Sequence, residues 1–211
     1  MAKVLLKITT SINGDHSISN SVCDAFVGAW KEKNADATIV ERNLATDPVP
    51  HLDAEAIYAG YTPEENRSDG MKSKMAARMV LIEELKAATD VVIATPMWNW
   101  NVPSGLKAWI DSIVMPGVMA PGMGLLEGKK FTFCCSQGGS YTAESGKGGW
   151  DYMTGYLVMV PKALGAKESD IDLILVEFGL AGIAPGMEGL VDAKEKSIAA
   201  AKEKAIARGA V

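Results

Sequence analysis

Two indoles and two amides stand next to one another at Trp98, Asn99, Trp100 and Asn101. A tryptophan ring is unfavourable in a loop unless it packs against a flat surface. The stretch around them, residues 95–107, is called the tryptophan loop below. Its rings predict contact with an aromatic ligand or a second subunit, or packing against the helices of the chain itself.

Hydroxyl groups cluster in a second stretch, residues 11–20, called the serine loop. Ser11, Ser17 and Ser19 follow a short apolar run and precede helical spacing of apolar residues. Free N–H groups and the positive end of a helix dipole favour a phosphate there, although Ser17 could serve only as a helix N-cap. The stretch has neither G-x-x-x-x-G-K-[ST] nor G-x-G-x-x-G, which disfavours a nucleotide triphosphatase and a Rossmann dehydrogenase.

A third stretch, residues 136–140, is called the diglycine loop and reads Ser-Gln-Gly-Gly-Ser. Adjacent glycines at 138 and 139 allow the backbone to approach a planar ligand closely and leave N–H groups free to bind it. A plain turn at the end of a strand explains them nearly as well. All three loops together are more specific than any one of them.

Short apolar runs alternate with helical spacing along the chain. Strands are predicted at residues 4–9, 38–41, 91–95, 130–135 and 171–177. Helices are predicted around residues 22–30, in a polar region ending near residue 88, after Pro103, at residues 150–164 and at residues 187–208. Strands that are apolar on both faces predict a doubly wound α/β fold with a parallel sheet covered by helices on both faces. In such folds ligands bind beyond the carboxyl ends of the strands, so the three loops should meet at one crevice.

Length and charge limit the possible classes of protein. The 211 residues are 48% hydrophobic and 22% charged, which predicts one domain over residues 1–211. With 21 Lys and Arg against 26 Asp and Glu, the net charge of -5 supplies no broad cationic surface for nucleic acid. The apolar stretches are too short for a secretory signal or a membrane span, so we expect a soluble cytoplasmic protein with no membrane partner.

Three cysteines, an odd number, stand at Cys23, Cys134 and Cys135. Their spacing fits neither a disulfide framework nor a zinc cluster, so no metal site is predicted and a reducing compartment is expected. Cys134 and Cys135 could form a redox pair, but small apolar packing residues are more usual inside a strand. His16 and His51, the only histidines, are predicted to be exposed or structural.

The chain resembles the FMN-dependent NADH-azoreductases, a bacterial branch of the flavodoxin-like NAD(P)H:quinone oxidoreductases. The resemblance covers nearly the whole chain. It rests on Lys3-Val4-Leu5, Ser17-Ile18-Ser19-Asn20, Pro96-Met97-Trp98-Asn99-Trp100-Asn101, Leu106-Lys107 and Ser136-Gln137-Gly138-Gly139. It implies a flavodoxin-like five-stranded parallel sheet of order 2-1-3-4-5.

The resemblance also implies a set of residues around FMN. Ser11, Ser17, Ile18 and Ser19 would hold the phosphate, Pro96, Met97, Trp98, Asn99 and Trp100 would lie along the isoalloxazine ring, and Ser136, Gln137, Gly138 and Gly139 would meet its pyrimidine edge. The backbone at Asn99 would support the flavin, and no side chain would act as a catalytic residue because the cofactor carries the chemistry.

Family members are homodimers with the flavin near the interface, and they reduce quinones and azo compounds by a ping-pong cycle with a nicotinamide. NADH and NADPH both remain open here. The family commonly has Tyr and Phe at the positions of Trp98 and Trp100, and a longer aromatic loop at residues 117–128, so the resemblance does not specify the acceptor. The alternatives are an electron-transfer flavodoxin, a nitroreductase or flavin reductase on the same scaffold, and a cofactor-free regulatory or structural α/β protein.

Overall fold

All five predicted strands form one parallel sheet in a computed structural model, which describes residues 3–211. The order along the sheet is β2-β1-β3-β4-β5, as the resemblance implied. The strands are β1 Val4–Thr9, β2 Thr38–Asn43, β3 Asp90–Pro96, β4 Lys130–Ser136 and β5 Ile171–Val176. The order reverses between β1 and β3, which is where a doubly wound sheet opens a crevice beyond its carboxyl edge.

Helices cover both faces of this sheet. They are α1 Ile18–Lys33, α2 Ala54–Ala59, α3 Asp69–Ala87, α4 Ser104–Ile113, α5 Thr154–Ala163 and α6 Val191–Gly209. Three of them begin at side-chain caps, because Ser17, Asp53 and Ser68 each accept the N–H of the third residue beyond. Across residues 3–211, no helix combines the length and apolar character that crossing a bilayer requires.

Two apolar clusters hold the layers together. The larger one packs α3, α4 and α5 against one sheet face, and the smaller one packs α1 and α6 against the other. Neighbouring strand residues alternate between them, so that Leu5 belongs to the smaller cluster and Leu6 to the larger. Burial on both faces explains why the central strands β3 and β4 are nearly continuous apolar runs, unlike the exposed edge strand β2.

The helices differ from the sequence prediction in the polar region before residue 88. Instead of one helix, α2 and α3 form there, separated by residues 60–68. Gly60 ends α2 and Pro63 lies in the connecting segment, where it cannot donate a helical hydrogen bond. The chain therefore has six helices in its described part, where five were predicted.

Two further helices start later than predicted. Helix α5 begins at Thr154 rather than 150, because the carboxylate of Asp151 accepts the N–H groups of Met153 and Thr154. Helix α6 begins at Val191 rather than 187, since a 3-10 turn occupies residues 188–190.

Strand β5 ends at Val176, one residue early, and β2 continues two residues beyond the predicted end. The serine, tryptophan and diglycine loops all follow strands at the carboxyl edge.

Candidate functional site

The serine loop is tied to the sheet switch point by threonines. The Thr10 N–H donates to the Ala94 carbonyl at 3.1 Å, and the Thr10 hydroxyl donates to Thr95 Oγ1 at 2.9 Å. Further along the loop, the Ser17 and Ser19 hydroxyls lie 3.2 Å apart and both residues are buried. The threonine contacts hold the amino end of α1 beside the end of β3.

Free donors mark the start of α1. Ser17 Oγ accepts the Asn20 N–H at 3.2 Å, so the N-cap reading of Ser17 is confirmed. Within residues 3–211, the N–H groups of Ile18 and Ser19 have no protein acceptor. Unpaired N–H groups at the positive end of a 16-residue helix suit a phosphate monoester. Capping and phosphate binding are therefore compatible at this position.

The tryptophan loop contains a tight turn. Trp98 and Asn101 exchange two backbone hydrogen bonds of 2.9 and 3.1 Å, while Asn99 and Trp100 have φ angles of 48° and 66°. Positive φ at both central positions is the type I′ arrangement, which for a tryptophan stores strain of order 1 kcal/mol. The turn is braced from outside, because the Trp100 carbonyl accepts the Tyr152 N–H at 3.0 Å.

The two indoles of this loop have different surroundings. The Trp100 ring meets the ring of Trp150 edge to face, with 5.7 Å between centroids. Trp98 is 39% exposed and lines crevices on both of its sides. Trp100, although 46% exposed, contacts Trp150 and lines neither crevice, whereas Trp98 lines both.

The diglycine loop packs against the segment after β5, residues 177–190, here called the β5–α6 loop. The Gln137 carbonyl accepts the Gly179 N–H at 2.8 Å, and the Gly138 carbonyl accepts the Leu180 N–H at 3.1 Å. A Cβ on Gly138 would lie 2.8 Å from Leu180 Cδ1, so a larger residue here would require the Leu180 side chain to move. In the described part of the chain, the N–H groups of Gly138 and Gly139 have no protein acceptor.

The side chain of Gln137 is already engaged. Its Nε2 donates to Asp151 Oδ2 at 2.7 Å, and Asp151 Oδ1 in turn accepts the N–H groups of Met153 and Thr154 at the start of α5. Gln137 is therefore a link between the diglycine loop and α5, and its contribution to a ligand would come from other atoms.

The three loops converge on one crevice of about 500 Å³, called the carboxyl-edge crevice. Nine of the thirteen predicted site residues line it: Ser11, Ser17, Ile18, Pro96, Met97, Trp98, Ser136, Gln137 and Gly138. The other four, Ser19, Asn99, Trp100 and Gly139, lie in the same loops but not in its lining. Convergence of the loops was predicted, and the structure shows it.

Sequence reasoning missed part of this lining. The additional residues are Asn13, His16, Gly179, Leu180, Ile183, Lys194, Glu195 and Ile198. Most belong to the β5–α6 loop and α6, and the only signal that could have found them is that β5 also ends at the carboxyl edge. His16 is exposed, as predicted, and also lines the crevice.

A second crevice of about 440 Å³ lies on the other side of Trp98. It is lined by Trp98, Asn99, Asn101, Val102, Pro103, Ser104, Lys107 and Tyr156. Burial raises the pKa of Tyr156 in this second crevice. Lys107, which also lines it, forms an ion pair with Asp111. Residues 115–128 line neither crevice, and three of them, Met115, Met119 and Leu126, are buried in the larger apolar cluster.

The three cysteines are free and buried. Cys134 belongs to the smaller apolar cluster and Cys135 to the larger, so the two thiols occupy opposite sheet faces. A hydrogen bond to Cys23 and burial raise the pKa of Cys134, and burial raises that of Cys135. These surroundings favour the packing interpretation over a redox pair.

We expect negligible alkylation of the native cysteines by iodoacetamide at neutral pH. Raised pKa values leave little thiolate, and burial blocks access to what forms. Mass spectrometry after labelling should find three modified cysteines only when the chain is first unfolded in guanidinium. Rapid labelling of Cys134 or Cys135 in native protein would contradict the packing role.

Comparison with protein families gives one match over almost the entire chain. A family model described as flavodoxin-like fold matches residues 3–208. A protein of Parafrankia sp. named FMN-dependent NADH:quinone oxidoreductase is 36% identical over 209 residues, covering 98% of each chain. A protein of Streptomyces coelicolor with the same name is 35% identical over 206 residues, covering 97% of this chain and 92% of its own.

Solved structures show the same architecture. An azoreductase from Bacillus anthracis strain Sterne superposes with a TM-score of 0.85 at 20% identity, covering 99% of both chains. An FMN-dependent NADH-azoreductase from B. anthracis strain Ames Ancestor, solved in complex with FMN, gives a TM-score of 0.74 at 23% identity over 97% of this chain and 100% of that one. At these identities the likeness shows the fold.

Proposed function

Because this chain belongs to the flavodoxin-like family, among the FMN-dependent NADH:quinone oxidoreductases, we propose that it binds FMN in the carboxyl-edge crevice and reduces quinones or azo compounds with NADH or NADPH. The observation that carries the proposal is the convergence of the serine, tryptophan and diglycine loops on one crevice of about 500 Å³. That volume lies within the usual range for a small-molecule or cofactor site.

The residues present fit such a cofactor. Among the residues that line the crevice, Ile18 has an unpaired N–H group that suits the phosphate, and Gly138 has one that suits the negative charge that reduction places on the pyrimidine side. Trp98 offers an indole wall for a planar ring. The fit therefore rests on free backbone donors and an aromatic surface among the residues that line the crevice.

The roles of protein and cofactor are separate in this proposal. When bound, FMN supplies the redox chemistry, by which a hydride from NAD(P)H and a proton convert an acceptor such as a quinone to its two-electron reduced form in a ping-pong cycle. The chain binds and orients, and its backbone at Asn99 and the diglycine loop supplies hydrogen-bond donors. No side chain has to act as a nucleophile.

Assembly as a homodimer belongs to the same proposal. Apolar side chains border the crevice in exposed positions, with Leu180 47% and Ile183 74% accessible. A second subunit beside the crevice would cover apolar surface of this kind and complete the walls of the acceptor site. Sedimentation analysis of the FMN-loaded protein at micromolar concentration should give a dimer, and a monomer would contradict this part.

Reconstitution with FMN tests the proposed function. The purified protein should acquire flavin absorbance bands on incubation with FMN and then oxidise NADH or NADPH in the presence of a quinone, well above free FMN at the same concentration. Absence of bound flavin would contradict the proposal. Bound flavin with negligible turnover would instead favour an electron-transfer flavodoxin, and intersecting rather than parallel double-reciprocal plots would contradict the ping-pong order.

A further inference from the structure

Lys194 lies in the first turn of α6 and lines the carboxyl-edge crevice. It is half-buried, and its Nζ donates to the Ala181 carbonyl at 2.9 Å. Among residues 3–211, no carboxylate lies within ion-pair distance of this ammonium group. Within the described part of the chain, a neutral carbonyl is thus the only partner of Lys194, and the other protons of the ammonium remain available to a ligand.

The position of this cation is unfavourable for the helix itself. The amino end of a helix carries partial positive charge, so a lysine in the first turn is repelled, while an acid such as Asp192 is stabilised. Helix stability therefore does not account for a lysine here. An anion bound in the crevice would compensate the lysine charge.

Packing places Lys194 on the side of the crevice that holds the serine loop. Helices α1 and α6 pack against each other on the same sheet face. Ile198, one turn beyond Lys194 on the same side of α6, joins the apolar cluster to which Ile18 also contributes. Lys194, at the amino end of α6, and Ile18, the first residue of α1, therefore line the same crevice.

We propose that Lys194 supplies the counter-charge for the phosphate ester of the bound flavin and so sets the preference for FMN over riboflavin. This inference rests on the proposed function. The other ionisable groups lining the crevice are His16 and Glu195. Because Glu195 repels an anion, loss of the Lys194 charge would leave the crevice lining with an acid and no lysine.

Flavin affinity of Lys194→Gln tests the inference without relying on turnover. The amide keeps a donor for the Ala181 carbonyl but removes the charge. We expect FMN to bind about tenfold to a hundredfold more weakly, the effect of losing a charge-assisted hydrogen bond, with riboflavin affinity within about twofold of the wild-type value. Quenching of flavin fluorescence measures both constants in the unmodified full chain and in the variant.

Two further variants control the result. Lys196→Gln removes an exposed lysine from the same helix, outside the crevice lining, and should leave both affinities within about twofold. Lys194→Arg keeps the charge and should restore most of the preference for FMN. Thermal unfolding without flavin checks that each variant is folded.

The possible outcomes distinguish a failure of the Lys194 role from a failure of the proposed function. Tight FMN binding by wild type with an unchanged FMN affinity in Lys194→Gln would overturn the role of Lys194 alone. Equal weakening of FMN and riboflavin would also overturn it, because a phosphate contact affects only FMN. Failure of the wild-type chain to bind either flavin would overturn the proposed function itself.

Discussion

A Ser17→Asp variant is expected to bind FMN at least about a hundredfold more weakly than wild type and riboflavin within about threefold. Ser17 is buried at the amino end of α1, and its hydroxyl caps the helix. Aspartate caps as well as serine, so the helix should persist. Its carboxylate would face the phosphate, and two charges about 4 Å apart repel by about 4 kcal/mol at an effective dielectric of about 20.

The matched control for this experiment is Ser17→Ala. Alanine loses the cap and one hydroxyl without adding charge, so FMN affinity should fall only about tenfold and the free energy of unfolding by about 1 kcal/mol. Fluorescence titration with FMN and riboflavin measures the affinities, and thermal unfolding reports the fold. If Ser17→Asp bound FMN as tightly as wild type, the phosphate would have to lie away from α1.

Replacing Arg78 with methionine is expected to lower the free energy of unfolding by about 3 to 5 kcal/mol. The guanidinium is buried, with 6% of the residue exposed, and burial lowers its pKa. It donates to four backbone carbonyls, which are those of Ala56, Asp111, Ser112 and Val114. Methionine would retain the stem but leave these acceptors without their donor, loosening α2 and the end of α4 from α3.

Urea denaturation measures this loss. Lys72→Met is the matched control, since Lys72 is an exposed residue of the same helix and its replacement should change stability by less than about 0.5 kcal/mol. Flavin affinity of folded Arg78→Met should stay close to wild type, because Arg78 does not line the carboxyl-edge crevice. A loss of stability below about 1 kcal/mol would contradict the role of the guanidinium in joining these helices.

The strand positions could be predicted well because buried strands have an apolar local composition. Every strand of the sheet matched its prediction within two residues. The central strands β3 and β4 are buried on both faces and therefore mostly apolar, whereas the edge strand β2 is partly polar. Helix starts were less accurate, although the decisive groups were present in the sequence. The carboxylate of Asp151 accepts the N–H groups of Met153 and Thr154 at the start of α5, whereas apolar spacing alone extended the predicted helix past this point.

In the candidate site, too, some features could be predicted from the sequence and others depend on tertiary contacts. Parallel strands place all their carboxyl ends at one edge, so the convergence of three loops could be predicted before any side chain was placed. The sequence could not predict which of the two neighbouring tryptophans faces the crevice. The left-handed turn at Asn99 and Trp100 and the contact with Trp150 decide it. The engagement of Gln137 by Asp151 is likewise a contact between distant segments.

The sequence by itself thus determined the α/β class, the sheet, the three loops and the family, because burial periodicity and local motifs report each segment separately. Tertiary structure decided the rest of the crevice. Packing of α6 against α1 brings Lys194 and Ile198 to the edge where β1 ends, and Leu180 closes over Gly138. These residues are remote along the chain, and only the packing of whole helices and loops places them together.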